Sequence, residues 1–205
     1  MNGNHVPDEI PLFPLDLVLL PSCHVPLHIF EERYRTMTNL CIEEDKEFGI
    51  VWGQDDDHRS IGCSARIADV VDRFPDGRLN IVVQGTERFN LLDEHHDAPY
   101  ITGIVETLPD EEDLPDATLV DRARELYSNA LKITLGWIRP NADETDERAL
   151  SYTIAASLGL PLERQQQLLE MRNAGDRLEE IAGILEGSIE NLQDADRKMR
   201  GNGKA

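Results

Sequence analysis

The chain has 205 residues, 40 % of them hydrophobic, which is enough for a buried core in one large domain or two small ones and excludes wholesale disorder. Forty acidic residues oppose twenty basic ones, for a formal net charge of −20. That balance argues against a nucleic-acid partner, which needs a basic patch to displace counterions, and against an anionic membrane surface. Solubility through self-repulsion is its plain physical meaning.

The first ten residues, MNGNHVPDEI, carry no basic stretch followed by an apolar run, so no secretory signal is visible. The longest apolar run, Leu17 to Leu20, is far too short to span a bilayer. Cys23, Cys41 and Cys63 are widely spaced and odd in number, which fits a reducing cytosol better than a disulfide framework. A cytoplasmic location is expected.

Taken in order, the first helical signal is Phe30, Tyr34, Met37 and Cys41, whose spacings of four, three and four line one helix face. Phe48–Trp52 reads as a short buried strand, and residues 61–71 form a longer β-prone stretch. Leu79, Ile81 and Val83 alternate with polar residues; before them Asp76-Gly77 suits a tight hairpin turn. Residues 88–92 and 100–108 supply two more strand candidates. Successive short antiparallel strands must dispose of their edges, and closure into a barrel does so.

An acidic, proline-bracketed stretch over residues 109–116 then predicts an exposed connection, and residues 140–147 repeat that character. From 119 onward the period is helical. Leu119, Ala123, Leu126, Ala130 and Ile133 make a stripe through a long helix ending near Pro140. A second helix carries Leu150, Ile154 and Leu158 and stops at Gly159, and a third starts at Pro161. The last has Asp176 as its expected cap, with Leu178, Ile181, Leu185, Ile189 and Leu192 on one side. Gly183 and Gly187 within it could mark a close helix–helix approach. The expected fold class is α+β: a β-rich barrel over residues 8–108, then a helical bundle over 117–199.

Catalytic signatures are not found. A phosphate-cradling loop needs G-x-x-x-x-G-K-[ST], and Gly203-Lys204 is followed only by Ala205. The dinucleotide glycine pattern and the G-x-S-x-G elbow are missing too. His24 and His28, with Cys23 alongside, imitate metal-ligand spacing, but Pro21 and Pro26 disfavour the helix that would bring the histidines together. His95-His96 reads as part of a solvated polar loop, and the cysteines as small buried hydrophobes. No metal, cofactor or catalytic residue is assigned.

Residues 10–37, IPLFPLDLVLLPSCHVPLHIFEERYRTM, resemble the opening signature of the Lon protease N-terminal (substrate-binding) domain family. Its P-L-F-P-L segment, its P-L-H-I-F-E block and its Arg-Tyr pair correspond to Pro11–Leu15, Pro26–Glu31 and Arg33-Tyr34. Phe48-Gly49, Ile61-Gly62, Asp76-Gly77-Arg78 and a G-x-x-R-F turn at Gly85, Arg88 and Phe89 follow in order. In the helical part, residues 158–170 and Arg177-Leu178 continue the likeness, which spans about residues 10 to 190. Two departures stand out: Pro21-Ser22 where the family has Pro-Gly, which leaves that turn open, and Glu31-Glu32 where it has Glu-Pro.

The resemblance implies a PUA-like pseudo-barrel followed by a helical bundle, in a stand-alone member without the ATPase and Ser–Lys peptidase parts of Lon proteases. It implies a non-enzymatic module recognising unfolded or degron-bearing polypeptide, with a protease as a further possible partner. A small-molecule-binding PUA-like domain is the alternative, and a hydrolase with an unrecognised site a third. Leu27, Ile29 and Phe30 read first as anchors of the helix on the barrel, with Glu31 and Arg33 ordering its first turn. His28, Phe30, Arg33 and Tyr34 are the candidate substrate-binding residues. The charge generates one expectation directly: gel-shift titration with duplex DNA or RNA at physiological salt should show no salt-sensitive complex at micromolar concentration.

Overall fold

In a computed structural model, residues 8–55, 57–97, 99–135 and 146–202 are described. They divide into two compact units, Met1–Pro109 with Gly159–Arg172, and Asp110–Leu158 with Asn173–Ala205.

The first unit is a closed sheet. Its strands are β1 (Asp8–Leu15), β2 (His24–Ile29), β3 (Phe48–Gln54), β4 (Asp57–His58), β5 (Ile61–Arg73), β6 (Leu79–His95) and β7 (Thr102–Thr107). They run in the order β1-β7-β6-β5-β3-β4, and a further pairing of β1 with β3 closes the ring. Closure is parallel, Leu12 to Leu15 lying beside Gly49 to Trp52, whereas β1 meets β7 antiparallel through Asp8 to Pro11. This change of partner part-way along β1 leaves each of Pro11 and Pro14 beside an unpaired edge, where a missing N–H costs no ladder bond. Two prolines in eight residues hide this strand from a reading by alternation.

Residues 88–92, expected as a separate strand, are the continuation of β6, which runs unbroken for 17 residues. Its first half is sandwiched between β2 and β5, and its second between β5 and β7. The β5–β6 turn forms at Asp76-Gly77 with Gly77 at φ +86. Ser22, the departure from Pro-Gly, sits at φ 64, the left-handed conformation that glycine adopts without strain, and its N–H donates to the Gly85 carbonyl.

Helix α1 (Glu32–Glu44) buries Tyr34, Met37, Thr38 and Cys41. Phe30 is a correction to the expected helix face: it precedes the helix and is 61 % exposed, while Ile29 is buried. Strand β2 turns alternate residues outward, and Phe30 lies beyond its last paired residue, where the helix has not begun.

The G-x-x-R-F residues explain the barrel's interior. A Cβ on Gly85 would stand 2.3 Å from the Leu20 carbonyl oxygen, and one on Gly62 would meet the Phe89 ring at 2.6 Å. Phe89 joins Leu12, Val51, Ile101 and Val105 in the barrel core. Arg88, 4 % exposed, donates through Nη1 to the carbonyls of Leu169 (2.8 Å) and Met171 (2.7 Å). Those oxygens end helix α4 (Leu162–Glu170), where carbonyls lack intrahelical donors. Buried Gln166 donates to the Ile61 carbonyl at 3.0 Å. The sequence reading placed this helix in the bundle; these bonds and buried Leu168 and Leu169 make it part of the barrel unit.

The second unit holds α2 (Ala117–Leu135), α3 (Leu150–Ser157) and α5 (Ala174–Asn202). The buried stripe of α2 is Val120, Ala123, Tyr127 and Ala130, rotated from the expected one, and Ile133 is 45 % exposed. Tyr127 supplies more apolar area than Leu126 and takes the inward position. The expected run of α2 to Pro140 and the acidic stretch over 140–145 lie outside the described residues. Gly159 stops the segment after α3 at φ +59. The α5 cap is Asn173, whose Oδ1 accepts the Asp176 N–H at 3.0 Å, so Asp176 belongs to the first turn instead. A Cβ on Gly183 or Gly187 would meet nothing within 4 Å, so neither marks a close approach among the described residues.

Arg177, fully buried, is the polar centre of this unit. It donates to Asp110 (2.8 and 3.1 Å), Ser151 (2.9 Å) and the Arg148 carbonyl (3.0 Å), and its guanidinium lies 4.0 Å above the Tyr152 ring. Arg148 donates to the Glu111 carbonyl at 2.6 Å. The acidic stretch after Pro109 is therefore pinned at its start, while Glu111 to Leu114 stay exposed.

Replacing Arg88 by Met should strip two terminal carbonyls of α4 of their donor inside the unit. Urea denaturation should show a loss of roughly 2–4 kcal/mol. Amides of α4 should exchange faster than those of β5 and β6.

Candidate functional site

Three segments of the barrel unit meet at one opening: the end of β1, the start of α1 and the turn joining β3 to β4. They enclose an open cleft of about 580 Å³. The parallel β1–β3 register brings Leu15 beside Trp52, which places the two strand ends on the same rim. Phe13 and Tyr34 form the apolar wall, their ring centroids 4.0 Å apart.

Polar groups on this wall are linked in one chain. Arg33 bonds Glu31 at 3.1 Å and Asp55 at 2.6 Å, with its guanidinium 4.4 Å from the Tyr34 ring centre. The Tyr34 hydroxyl donates to the other Asp55 oxygen at 3.1 Å. The hydrogen bond from Arg33 is the main reason the Asp55 carboxyl sits below the usual carboxylate range. Burial pushes the Tyr34 phenol up, so it remains a donor. Trp52 Nε1 donates to Asp16 at 3.2 Å, and Arg59 lies 5.4 Å from the Trp52 ring. The cleft is lined by four described carboxylates, Asp16, Glu31, Asp55 and Asp57, against the single guanidinium of Arg33.

The four candidate residues fall into two settings. Arg33 and Tyr34 build the cleft wall. His28 and Phe30 form an exposed shelf with ring centroids 6.0 Å apart, and His28 also meets Phe74 edge-on at 6.1 Å. His28 Nδ1 is 2.7 Å from Asn80 Oδ1 across the β2–β6 pair. Sequence reasoning missed Phe13, Asp16, Asp55 and Asp57. The acidic run Asp55-Asp56-Asp57 directly after a buried strand was the available signal.

His24 and His28 share a strand face four residues apart, roughly 13 Å along the chain, too far for a shared ion. No cluster of three or more His, Cys, Asp or Glu able to hold a metal occurs among the described residues. Burial raises the thiols of Cys23 and Cys41 to about 11 and that of Cys63 higher still, so all three are neutral buried side chains at pH 7.

The fold and the positions of its signature residues can be set against known proteins. The model of the ATP-dependent protease La (LON) substrate-binding domain matches residues 9–187. The chain belongs to the LON substrate-binding domain family. It is 28 % identical over 196 residues to Lon protease 1 of Hydrogenovibrio crunogenus, covering 89 % of this chain and 24 % of that protein. The Lon protease of Escherichia coli K12 is 26 % identical over 206 residues, with 90 % and 25 % covered. The chain thus spans about a quarter of the length of the curated relatives it matches. Among solved structures, a Lon N-terminal domain protein from Xanthomonas campestris aligns with a TM-score of 0.67 at 27 % identity, over 86 % of this chain and 98 % of that one. The N-terminal domain of Mycobacterium avium complex Lon protease aligns at 0.73 and 21 % identity, over 87 % and 98 %, a likeness of fold. The α+β fold of the LON substrate-binding domain, with its PUA-like barrel and C-terminal helices, is therefore that of this chain. No helix among the described residues is long and apolar enough to cross a membrane.

The chain Arg33–Asp55–Tyr34 predicts a pH dependence. A carboxylate lowered in the folded state adds stability above its ordinary value, 3.8, and loses that stability as pH falls through the lower folded value. The stability difference between wild type and Asp55→Asn should be constant above roughly pH 5 and shrink towards pH 2. Guanidinium denaturation across that range measures it.

Proposed function

We propose that this LON substrate-binding domain is a non-catalytic recognition module for unfolded or degron-bearing polypeptide, acting in the cytoplasm as an accessory to proteolysis and protein quality control. One observation carries the reading. Residues from both blocks of the family signature, Phe13, Pro14 and Leu15 from the first and Glu31, Arg33 and Tyr34 from the second, line one open cleft. The second block also offers what an unfolded segment would meet: an outward Phe30 and polar groups held in fixed orientation.

Unfolded polypeptides are bound through apolar side chains and through backbone bonds along a strand edge. Many sequences satisfy such contacts, and the ligand loses ordering entropy, so roughly micromolar affinity is expected. His28, Phe30, Arg33 and Tyr34 are the proposed contact residues, with Tyr34 acting mainly by holding the wall. Neither nucleic acid nor membrane is a proposed partner, because the net charge of −20 repels both surfaces.

A peptide array scanned with the folded protein, with a reduced and denatured protein as positive control, tests the reading. Phe30→Ala should keep the wild-type melting temperature, since the ring is mostly exposed, and weaken the best peptides by roughly threefold to tenfold. Absence of any bound peptide, together with a melting temperature raised by a small metabolite, would favour a ligand-binding PUA-like domain instead.

A further inference from the structure

We propose that Asp76, at the tip of the β5–β6 hairpin, is the site where this chain undergoes spontaneous isoaspartate formation, and that Arg78 is the positioning residue that sets its rate.

The chemistry starts from the sequence. Asp76-Gly77 is the only Asp-Gly pair in the 205 residues. An aspartate before glycine is open to attack by its own backbone, because glycine has no Cβ to shield the following amide nitrogen. The Gly77 nitrogen bonds to the Asp76 side-chain carboxyl carbon, and the amide hydrogen leaves with the carboxyl hydroxyl as water. A second water then opens the five-membered imide. Breaking the bond from Gly77 to the Asp76 main-chain carbonyl carbon leaves the chain running through Cβ and Cγ; breaking the new bond restores aspartate. One water is lost and one gained, so the mass is unchanged.

The reaction needs a protonated carboxyl and a nitrogen free to approach it. The turn withholds both. The Arg78 backbone N–H donates to Asp76 Oδ1 at 3.2 Å and its Nε to Oδ2 at 2.8 Å. These bonds, the backbone one first, hold the Asp76 carboxyl below the usual carboxylate range. The Gly77 N–H is committed to the Phe74 carbonyl at 2.9 Å, with Gly77 fixed at φ +86. Phe74 in turn donates to the Arg78 carbonyl at 2.9 Å, and the Arg78 guanidinium lies 5.1 Å from the Phe74 ring centre. The residues that make the turn therefore also restrain its reactive pair, while the Asp76 side chain, 56 % exposed, stays open to water.

Isomerisation changes the turn. Arg35 donates through Nη1 to the Asp76 carbonyl, and a Cβ on Gly77 would lie 2.8 Å from the same nitrogen. An isoaspartyl link adds a methylene to the main chain and converts that carbonyl into a free carboxylate. The tight turn that seats Phe74 edge-on to His28 is thereby lengthened.

The test incubates the full chain and a synthetic peptide of residues 70–82 side by side for several weeks at neutral pH. Isoaspartate at Asp76 is read by peptide mapping, as a fragment of unchanged mass that resists cleavage before aspartate. Deamidation at Asn2-Gly3 or Asn202-Gly203 changes the mass and is read separately. The folded chain should isomerise at Asp76 at least about fivefold more slowly than the peptide. Arg78→Gln keeps the backbone N–H and should speed the folded chain by roughly twofold to fivefold at neutral pH, while the same change in the peptide does nothing. That gain should fall towards one below about pH 4, where the carboxyl is protonated with or without the guanidinium. A hairpin merely loosened by the substitution is faster by the same factor at every pH. Asp76→Glu should abolish the signal, because its ring would need a sixth member. Equal rates in chain and peptide, a gain from Arg78→Gln that is independent of pH, or isoaspartate arising mainly at another aspartate would overturn the proposal.

Discussion

The parallel pairing of β1 with β3 is the contact on which the barrel unit depends. The other main pairings of the ring, that of β1 with β7 included, are antiparallel, whereas β1 and β3 lie side by side in the same direction and close the ring. Closing the ring removes the sheet edges that β1 and β3 would otherwise present to other chains. It also sets the cleft, because the shared register fixes where β1 ends relative to the β3–β4 turn. Glycines at the close approaches make that closure possible: Gly62 leaves room for Phe89, and Gly85 lets β6 come against the Leu20 carbonyl.

In so acidic a chain, the arginines work as internal fasteners more than as surface charge. Arg88 ties the end of α4 into the barrel unit, Arg177 gathers the start of the acidic stretch and the α3 region, and Arg33 joins α1 to the β3–β4 turn. A planar guanidinium with five donors satisfies several acceptors from one position, which a lysine ammonium does not do in a fixed geometry. Buried Arg88 and Arg177 are thereby compensated by hydrogen bonds, as a desolvated cation must be. Surplus negative charge is left for the surface and for the cleft.

Much of the barrel was legible from local pattern. Phe48–Trp52, residues 61–71 and the alternation at Leu79, Ile81 and Val83 all became strands, and Asp76-Gly77 became the turn between two of them. Each signal depends on side-chain period or on a positive φ, properties that neighbours in sequence decide. The strand with Pro11 and Pro14 was not legible this way, since its pairing alternates between partners that only the closed ring supplies. Phe30 fitted a helical period yet lies outside the helix, because the period says which residues could share a face and not where the chain leaves the strand.

By itself the sequence determined the family, the α+β class, the change from a strand-rich first part to a helical second part, and the strong negative charge. These follow from composition, from short-range period and from a signature long enough to be specific. Only the tertiary structure decided that α4 belongs to the barrel unit, that Asn173 caps α5, and that His28 and Phe30 stand apart from Arg33 and Tyr34. It alone brought Phe13, Asp16, Arg33, Tyr34 and Asp55 around one cleft. The physical reason is distance along the chain. A hydrogen bond between Arg33 and Asp55, or a ring contact between Phe13 and Tyr34, joins residues about twenty positions apart, and nothing in the spacing of either pair specifies it.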